Sequence, residues 1–244
     1  MQKPNRTLLS SNDPWCLMIS FTPADIDAIR LSAKVAVAAT LVSLPFGFAA
    51  AYVMSFSSFR GKAPLEVLLN LPLTLPPVVI GYLLLLLLGK KGWIGSLLNE
   101  AGIRIIFTWQ AAAIASAVVG FPLLVRSVRI GMESIDEKLI QASRTLGAHW
   151  YDTLFTVILP LSVRGIMAGS ALMFARSLGE FGATIIVAGN IPGVTQTMPL
   201  AIYEYASSPG GEGAALGLCL VAIALSLAVL VFHEYLGGRL ARRK

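Results

Sequence analysis

The feature that most constrains this chain is a set of long apolar runs with almost no charge in them. The run Gly81–Leu88 reads GYLLLLLL, and the run Leu216–Phe232 contains no Asp, Glu, Lys or Arg. Of 244 residues, 56% are hydrophobic and 13% are charged, whereas an average soluble domain has about 25% charged residues. In water such runs would form large exposed apolar patches. The sequence therefore predicts an integral membrane protein.

Five stretches are long and apolar enough to cross a bilayer as helices, which takes about 20 residues each. The Pro76-Pro77 pair is predicted to break or kink the second of them, because proline lacks the N–H group that continues a helix. The predicted fold class is an all-α integral membrane protein with about five transmembrane helices in residues 29–236. The predicted spans are Ile29–Ser55, Leu65–Leu88, Ile105–Val128, Ile166–Ala188 and Ala214–Leu236.

The distribution of Lys and Arg predicts the orientation of the chain, because cytoplasmic loops of membrane proteins are enriched in both. With the N-terminus outside, the cytoplasmic segments hold eleven of these residues and the outer segments hold six. Residues 1–28 then form an outer or membrane-surface tail, and residues 237–244 form a basic cytoplasmic tail. The same pattern explains the net charge of +6, so we expect no nucleic-acid partner.

The cytoplasmic segment between spans three and four, residues 133–163, is long for a connection between two helices, which usually takes about 2–8 residues. Apolar residues repeat at helical spacing from Ile135 to Leu146, which predicts a first helix. Gly147 suits a turn or a close backbone contact, and a second short helix is predicted over Trp150–Ile158, ended by Pro160. The residues alone leave two interpretations open, a loop folded against the membrane or a docking surface for a cytoplasmic partner.

This segment resembles the cytoplasmic signature of permeases from binding-protein-dependent ABC importers. The signature reads Glu-Ala-Ala, three residues, Gly, nine residues, Ile, one residue and Leu-Pro. Here Gln141, Ser143 and Val157 depart from it, and the loss of the Glu removes a charge that the family offers its partner. The resemblance implies a coupling helix that sits in a groove of an ATPase subunit and carries its motion into the spans. The residues implied in coupling are Gln141, Ala142, Ser143, Leu146, Gly147, Ala148 and Pro160.

Other stretches narrow the resemblance to permeases for molybdate. Residues 191–203 read IPGVTQTMPLAIY, which favours molybdate, whereas sulfate permeases share a pattern related to the GEFG of residues 179–182. The resemblance implies a type I importer fold, a homodimer in the cell inner membrane, two cytoplasmic ABC ATPase subunits and an extracytoplasmic molybdate-binding protein. An outer loop is expected to meet that binding protein through Asn190, Thr195, Gln196 and Thr197.

Motifs that the sequence lacks limit the function further. No G-x-x-x-x-G-K-[ST] phosphate loop occurs, so ATP and Mg²⁺ are expected on the partner ATPase and no cofactor is expected in this chain. We find no paired carboxylates, metal-ligand set or nucleophile–base motif, which argues against a membrane enzyme. Sulfate and tungstate remain alternative cargoes. A self-sufficient anion carrier is a further alternative, although it has no need of a docking segment.

Arg176 and Glu180 are charged residues four positions apart in the predicted fourth span. A charge at the centre of a transmembrane helix costs about 2.5–3.5 kcal/mol on insertion scales, so neither is expected to face lipid unpaired. Two interpretations stay open: an ion pair that locks helix packing, or an arginine that faces the pathway of an oxyanion. Thr184 is a further pathway candidate, as a weak hydrogen-bonding group. Gly165 and Gly169 form a small-x-x-x-small pair, which predicts close helix packing, within the chain or with a second copy.

Overall fold

The computed structural model describes residues 21–241, and every regular element in that range is helical. Four stretches are long and apolar enough to cross a membrane, and the bent helix pair Lys62–Thr74 and Pro77–Leu88, taken as one span, makes a fifth. This confirms the predicted all-α class with about five spans. The helices are α1 (Pro23–Phe56), α2 (Lys62–Thr74), α3 (Pro77–Leu88), α4 (Trp93–Glu100), α5 (Trp109–Glu133), α6 (Glu137–Thr145), α7 (Trp150–Thr153), α8 (Leu159–Leu178), α9 (Gly182–Val187), α10 (Met198–Ala206) and α11 (Glu212–Ala241).

The second span is broken where the sequence predicted it. Helices α2 and α3 meet at an angle of 111°. Leu75 and Pro76 are extended, with ψ of 144° and 133°, and Pro77 takes the first position of α3. The N–H groups of the first helical turn have no acceptor inside the helix, so a proline is tolerated at the first position of α3. Had α2 continued through this position, the missing N–H group would have cost a hydrogen bond.

The first and last helices, α1 and α11, extend beyond the predicted spans. Helix α1 begins at Pro23, where Thr22 and Asp25 form a capping box, so residues 23–28 are helical and only the remainder of the predicted tail precedes the helix. Helix α11 likewise continues to Ala241, into the predicted basic tail. Residues 1–20 and 242–244 lie outside the described range.

The fourth span differs from the prediction at both ends. The helix runs without a break from Trp150 to Leu178, then stops, and α9 begins at Gly182. Pro160 was predicted to end a helix, but it lies at the second position of α8. The reason is a π-helical turn over Leu154–Ile158, in which the N–H of Leu159 donates to the carbonyl of Leu154. This wider turn accommodates the proline where a regular α-helix would clash with its ring.

Helices α5 and α8 pack at backbone contact, and this pair forms the centre of the fold. A Cβ atom on Gly165 would lie 2.8 Å from Gly131 Cα and 2.8 Å from Ser127 O. A Cβ atom on Gly169 would lie 3.0 Å from Leu124 O. The close packing predicted from the two glycines of α8 is therefore present within one chain.

Candidate functional site

The coupling segment, residues 133–163, contains the short helix α6 and the beginning of the long helix Trp150–Leu178, joined by a glycine turn. Asp136 caps α6 by accepting the N–H of Lys138 at 2.9 Å. The helix ends where Gly147 adopts φ of +85°, a left-handed conformation that residues with a Cβ atom rarely adopt. The N–H of Ala148 then donates to Ser143 O at 3.2 Å. A Cβ atom on Gly147 would meet open space, so its role is the turn that the sequence predicted and not a close contact.

One side of α6 is fixed to the body of the protein. Ile140 is 8% exposed and belongs to a core cluster that includes Met132 of α5 and Ile158 of the π-helical turn. The hydroxyls of Ser143 and Thr153 lie 3.0 Å apart. Apolar packing and a hydrogen bond therefore attach α6 to the start of the long helix Trp150–Leu178.

The opposite side of the coupling segment is apolar and exposed. Leu146 is 88% exposed and Trp150 is 65% exposed. A single exposed apolar side chain needs no explanation. Several large ones from one short segment do, because patches of this kind mark protein interfaces. We call this patch the coupling surface; its members are Leu139, Leu146, Trp150, Tyr151 and Phe155.

The structure brings the predicted coupling residues to this surface with different exposures. Gln141, Ala142, Leu146 and Gly147 are exposed, whereas Ser143 and Ala148 are half-buried. Pro160 lies further along, inside the helix that leads away from the surface. The exposed set therefore covers the first part of the signature, and its proline end serves the connection to the span.

Arg176 and Glu180 form the predicted ion pair at the end of α8. Arg176 Nη1 lies 2.7 Å from Glu180 Oε2, and the carboxylate side chain is 1% exposed while the arginine side chain is 30% exposed. Glu180 Oε1 also accepts the N–H of Ala183 at 2.9 Å, which caps α9. Oε2 has no donor aligned for a hydrogen bond. Glu180 therefore closes the break between α8 and α9, and Arg176 remains partly exposed.

Buried hydroxyl groups without a hydrogen-bond partner surround this break in the sequence. They belong to Ser177 in the last turn of α8, Thr184 in α9 and Thr197 before α10. Buried polar groups are nearly always paired, so each exception needs an explanation. Thr184 was predicted to line the pathway; it is 1% exposed in this conformation.

The loop that follows α9 turns most of its polar side chains inward. Thr195, Gln196 and Thr197 are buried, although they were expected to meet a binding protein. Gln196 Nε2 and Asn190 Nδ2 both donate to Glu204 Oε2, at 2.6 Å and 2.8 Å. These residues shape the loop from within, and its exposed part is Ile191–Val194.

Sequence reasoning missed the residues that anchor this loop. Glu204 is an isolated carboxylate in the apolar helix α10, and that isolation was the available signal. The N–H of Met198 donates to Ser32 Oγ at 2.7 Å, and Tyr205 OH donates to Asp25 Oδ1 at 2.8 Å. Partial burial and the bond to Asp25 raise the pKa of the Tyr205 phenol. Both contacts attach α10 to α1, more than 160 positions earlier.

A second charged group that sequence reasoning missed lies at the coupling end of α5. Arg129 Nη1 lies 2.7 Å from Glu66 of α2, and Arg129 Nε lies 2.6 Å from Glu133. The three side chains border a cavity of about 410 Å³, which Asn70 and Arg126 also line. The arginine thereby ties the first half of the broken second span to α5.

The structure is therefore a bundle of helices long and apolar enough to cross a membrane, with exposed apolar side chains on the connection between two of them. The chain matches the family described as binding-protein-dependent transport system inner membrane component over residues 43–242. The chain belongs to this family.

Relatives and solved structures agree with that assignment. The chain is 48% identical over 224 residues to the molybdenum transport system permease protein ModB of Escherichia coli strain K12, covering 91% of this chain and 97% of that protein. It is 49% identical over 220 residues to ModB of Haemophilus influenzae, with coverage of 90% and 96%. The sulfate transport system permease protein CysW of Synechococcus elongatus is 39% identical over 178 residues, with coverage of 73% and 62%.

The fold is that of importer subunits in solved structures. A bacterial ABC transporter that imports alginate matches with a TM-score of 0.70 at 14% identity, covering 96% of this chain and 85% of that chain. An inward-facing methionine ABC transporter matches with a TM-score of 0.63 at 18% identity, covering 96% and 99%. The protein is thus a multi-pass inner-membrane permease of the type I importer fold.

Proposed function

We propose that this chain forms the pathway for molybdate in an ATP-driven importer. It acts as a homodimer with two cytoplasmic ABC ATPase subunits and an extracytoplasmic molybdate-binding protein. The observation that carries the proposal is the coupling surface. Its apolar side chains are exposed, while buried residues of the same segment attach it to a membrane-spanning helix. ATP and Mg²⁺ belong to the partner subunits. The N-terminus lies outside and the C-terminus in the cytoplasm, as the Lys and Arg distribution predicts.

The contacts behind the coupling surface supply a route for motion. Displacement of α6 by a partner is passed to the long helix Trp150–Leu178 through Ile140 and the Ser143–Thr153 contact. That helix packs on α5 at backbone contact near Gly165, so the two helices move as one body. A rigid-body movement of this kind opens a pathway alternately to the two sides of a membrane.

Molybdate is the proposed cargo because two relatives named for molybdenum transport match nearly the whole chain. The sulfate relative matches at lower identity, so sulfate is the second choice. Tungstate resembles molybdate closely in size and charge, and the choice between them falls largely to the binding protein. Exposed residues Ile191–Val194 of the outer loop are the proposed contact with that protein, with Asn190, Thr195, Gln196 and Thr197 holding the loop in shape.

The proposal is tested in liposomes that hold this chain, its ATPase and its binding protein. We expect ATP hydrolysis and uptake to be stimulated by the molybdate-loaded binding protein, and to be stimulated much less by sulfate. Omission of the ATPase serves as the control and is expected to abolish uptake. Uptake of molybdate without any ATPase would contradict the proposal and identify a self-sufficient carrier.

Arg176 is proposed to present positive charge to the oxyanion, while Glu180 neutralises it between transport cycles. Replacement of Arg176 by alanine leaves the Glu180 carboxylate buried without its partner, which typically costs about 3–5 kcal/mol. We therefore expect poor assembly of Arg176→Ala. The double variant Arg176→Ala with Glu180→Gln removes the unpaired charge, so it is expected to assemble but to transport molybdate slowly.

Two readouts separate the roles of this pair. Assembly is measured as the yield of the complex with the ATPase, and transport as initial uptake at saturating binding protein. Restored assembly with slow uptake supports a pathway role for Arg176. Restored assembly with normal uptake would show that the pair only locks helix packing.

A further inference from the structure

The end of the bundle opposite the coupling segment carries a basic cavity that the transport cycle does not use. Residues 89–108 connect α3 to α5 through the short helix α4, and they enclose a cavity of about 460 Å³. That volume lies within the range of about 300–1,000 Å³ typical of small-molecule sites. The cavity is lined by Lys90, Asn99 and Arg104, and by apolar side chains that include Leu85, Ile103 and Phe107.

The two basic residues that line the cavity are exposed and flank α4 in the sequence. Lys90 precedes that helix and Arg104 follows it. Neither has an ion-pair partner among residues 21–241 of the structure, so their charges are available to a ligand. Asn99 adds a neutral hydrogen-bonding group. The polar part of the site therefore suits a singly or doubly charged phosphate group held between two cations.

The position of α4 places this cavity at the membrane surface. Trp93 is 89% exposed and Leu97, one turn later on the same side, is 67% exposed. Helix α4 has 8 residues and cannot span a bilayer, yet it directs large apolar side chains outward. Helices of this kind lie in the plane of the interface, with tryptophan at the level of the lipid headgroups.

The surroundings extend the interfacial pattern beyond α4. Trp109 begins α5, and the Nζ atom of Lys34 lies 3.8 Å from the centroid of its ring. Exposed leucines continue from the cavity along α3, at Leu86 and Leu87. A ligand with a charged head in the cavity would thus find apolar surface for its tail in the direction of the bilayer core.

We propose that this cavity binds the headgroup of an anionic phospholipid, with the phosphate between Lys90 and Arg104. A small inorganic oxyanion matches the charges but leaves the apolar walls without a partner. An acidic protein segment also matches the charges, but the exposed Trp93 and Leu97 favour insertion of this region into lipid. The proposal does not depend on the identity of the cargo.

The test uses the full-length permease purified in a neutral detergent, with phosphatidylglycerol and phosphatidylcholine as probes. Binding is measured by native mass spectrometry and by the lipid-induced rise in the unfolding midpoint. We expect phosphatidylglycerol to bind more tightly than phosphatidylcholine. We expect Lys90→Ala and Arg104→Ala each to weaken it about fivefold, the effect of one basic group at a membrane surface.

Lys91 supplies a matched control, because it is the next residue, is exposed and does not line the cavity. Lys91→Ala is expected to retain tight phosphatidylglycerol binding. Equal losses for Lys90→Ala and Lys91→Ala, or no preference for the anionic lipid, would overturn the proposal. Glycerol 3-phosphate that binds as tightly as the whole lipid would identify a soluble phosphate site instead. If Lys90→Ala and Arg104→Ala weakened association with the binding protein and left lipid binding unchanged, the cavity would be a protein contact instead.

Discussion

Replacement of Leu146 by aspartate is expected to abolish ATP-driven uptake and to leave the permease folded. The side chain is 88% exposed, so it contributes little to the stability of the isolated chain. It is the most exposed apolar group of the coupling surface. Central apolar anchors of an interface commonly contribute about 2 kcal/mol or more to binding, which corresponds to about a 30-fold change in affinity. A carboxylate at that position would also be desolvated without a partner.

Three measurements check this expectation. The unfolding midpoint of purified Leu146→Asp is expected to equal that of the wild type, while its affinity for the ATPase and its transport-coupled ATP hydrolysis fall. Leu146→Met keeps an apolar side chain of similar volume and is expected to retain both activities. Normal coupling in Leu146→Asp would show that the partner docks elsewhere and would remove the main support for the proposed function.

The second large effect is expected at the contact between α5 and α8. A leucine at position 165 would place its Cβ atom 2.8 Å from Gly131 Cα and 2.8 Å from Ser127 O. Both of these are backbone atoms. Overpacking of a tight core typically costs about 1–3 kcal/mol, and backbone contact leaves no side chain to move aside. With about 2–4 °C for each kcal/mol in a chain of this size, we expect Gly165→Leu to lower the unfolding midpoint by roughly 5–10 °C and to reduce yield.

Gly179 provides the control for that substitution. It lies one residue beyond α8, and a Cβ atom on it would meet nothing within 4 Å. Gly179→Ala is therefore expected to unfold at the wild-type temperature. An unchanged midpoint for Gly165→Leu would mean that α5 and α8 separate easily, and it would also contradict the proposed transmission of motion through that pair.

The sequence was sufficient for the features that depend on local chemistry. Apolar runs predicted the spans, Pro76-Pro77 predicted the break, and Gly147 predicted the turn in the coupling segment. Each of these follows from the residue itself, whether from its polarity, a missing N–H group or a missing Cβ atom. The Arg176–Glu180 pair was likewise predictable, because two charges four positions apart in an apolar segment have few other ways to be satisfied.

The features that the sequence did not reveal depend on distant parts of the chain. The inward orientation of Gln196 follows from Glu204, and the position of α10 follows from its contact with Ser32. The passage of a helix through Pro160 depends on the π-helical turn before it. Proline disrupts a regular α-helix, and the prediction at Pro160 rested on that rule. Here the wider turn before it lets the helix continue.

That π-helical turn also sets the rotational phase between the coupling surface and the fourth span. One residue in an α-helix corresponds to a rotation of about 100°, since a turn takes about 3.6 residues. The wide turn holds one extra residue without advancing the helix, so if Leu154–Ile158 became a regular α-helix of unchanged length, Leu146 and Trp150 would turn by about that angle relative to Gly165. The surface would keep all of its side chains and face the wrong way. The residues of this short stretch must therefore keep the wide turn, because its conformation sets the direction in which the coupling surface faces.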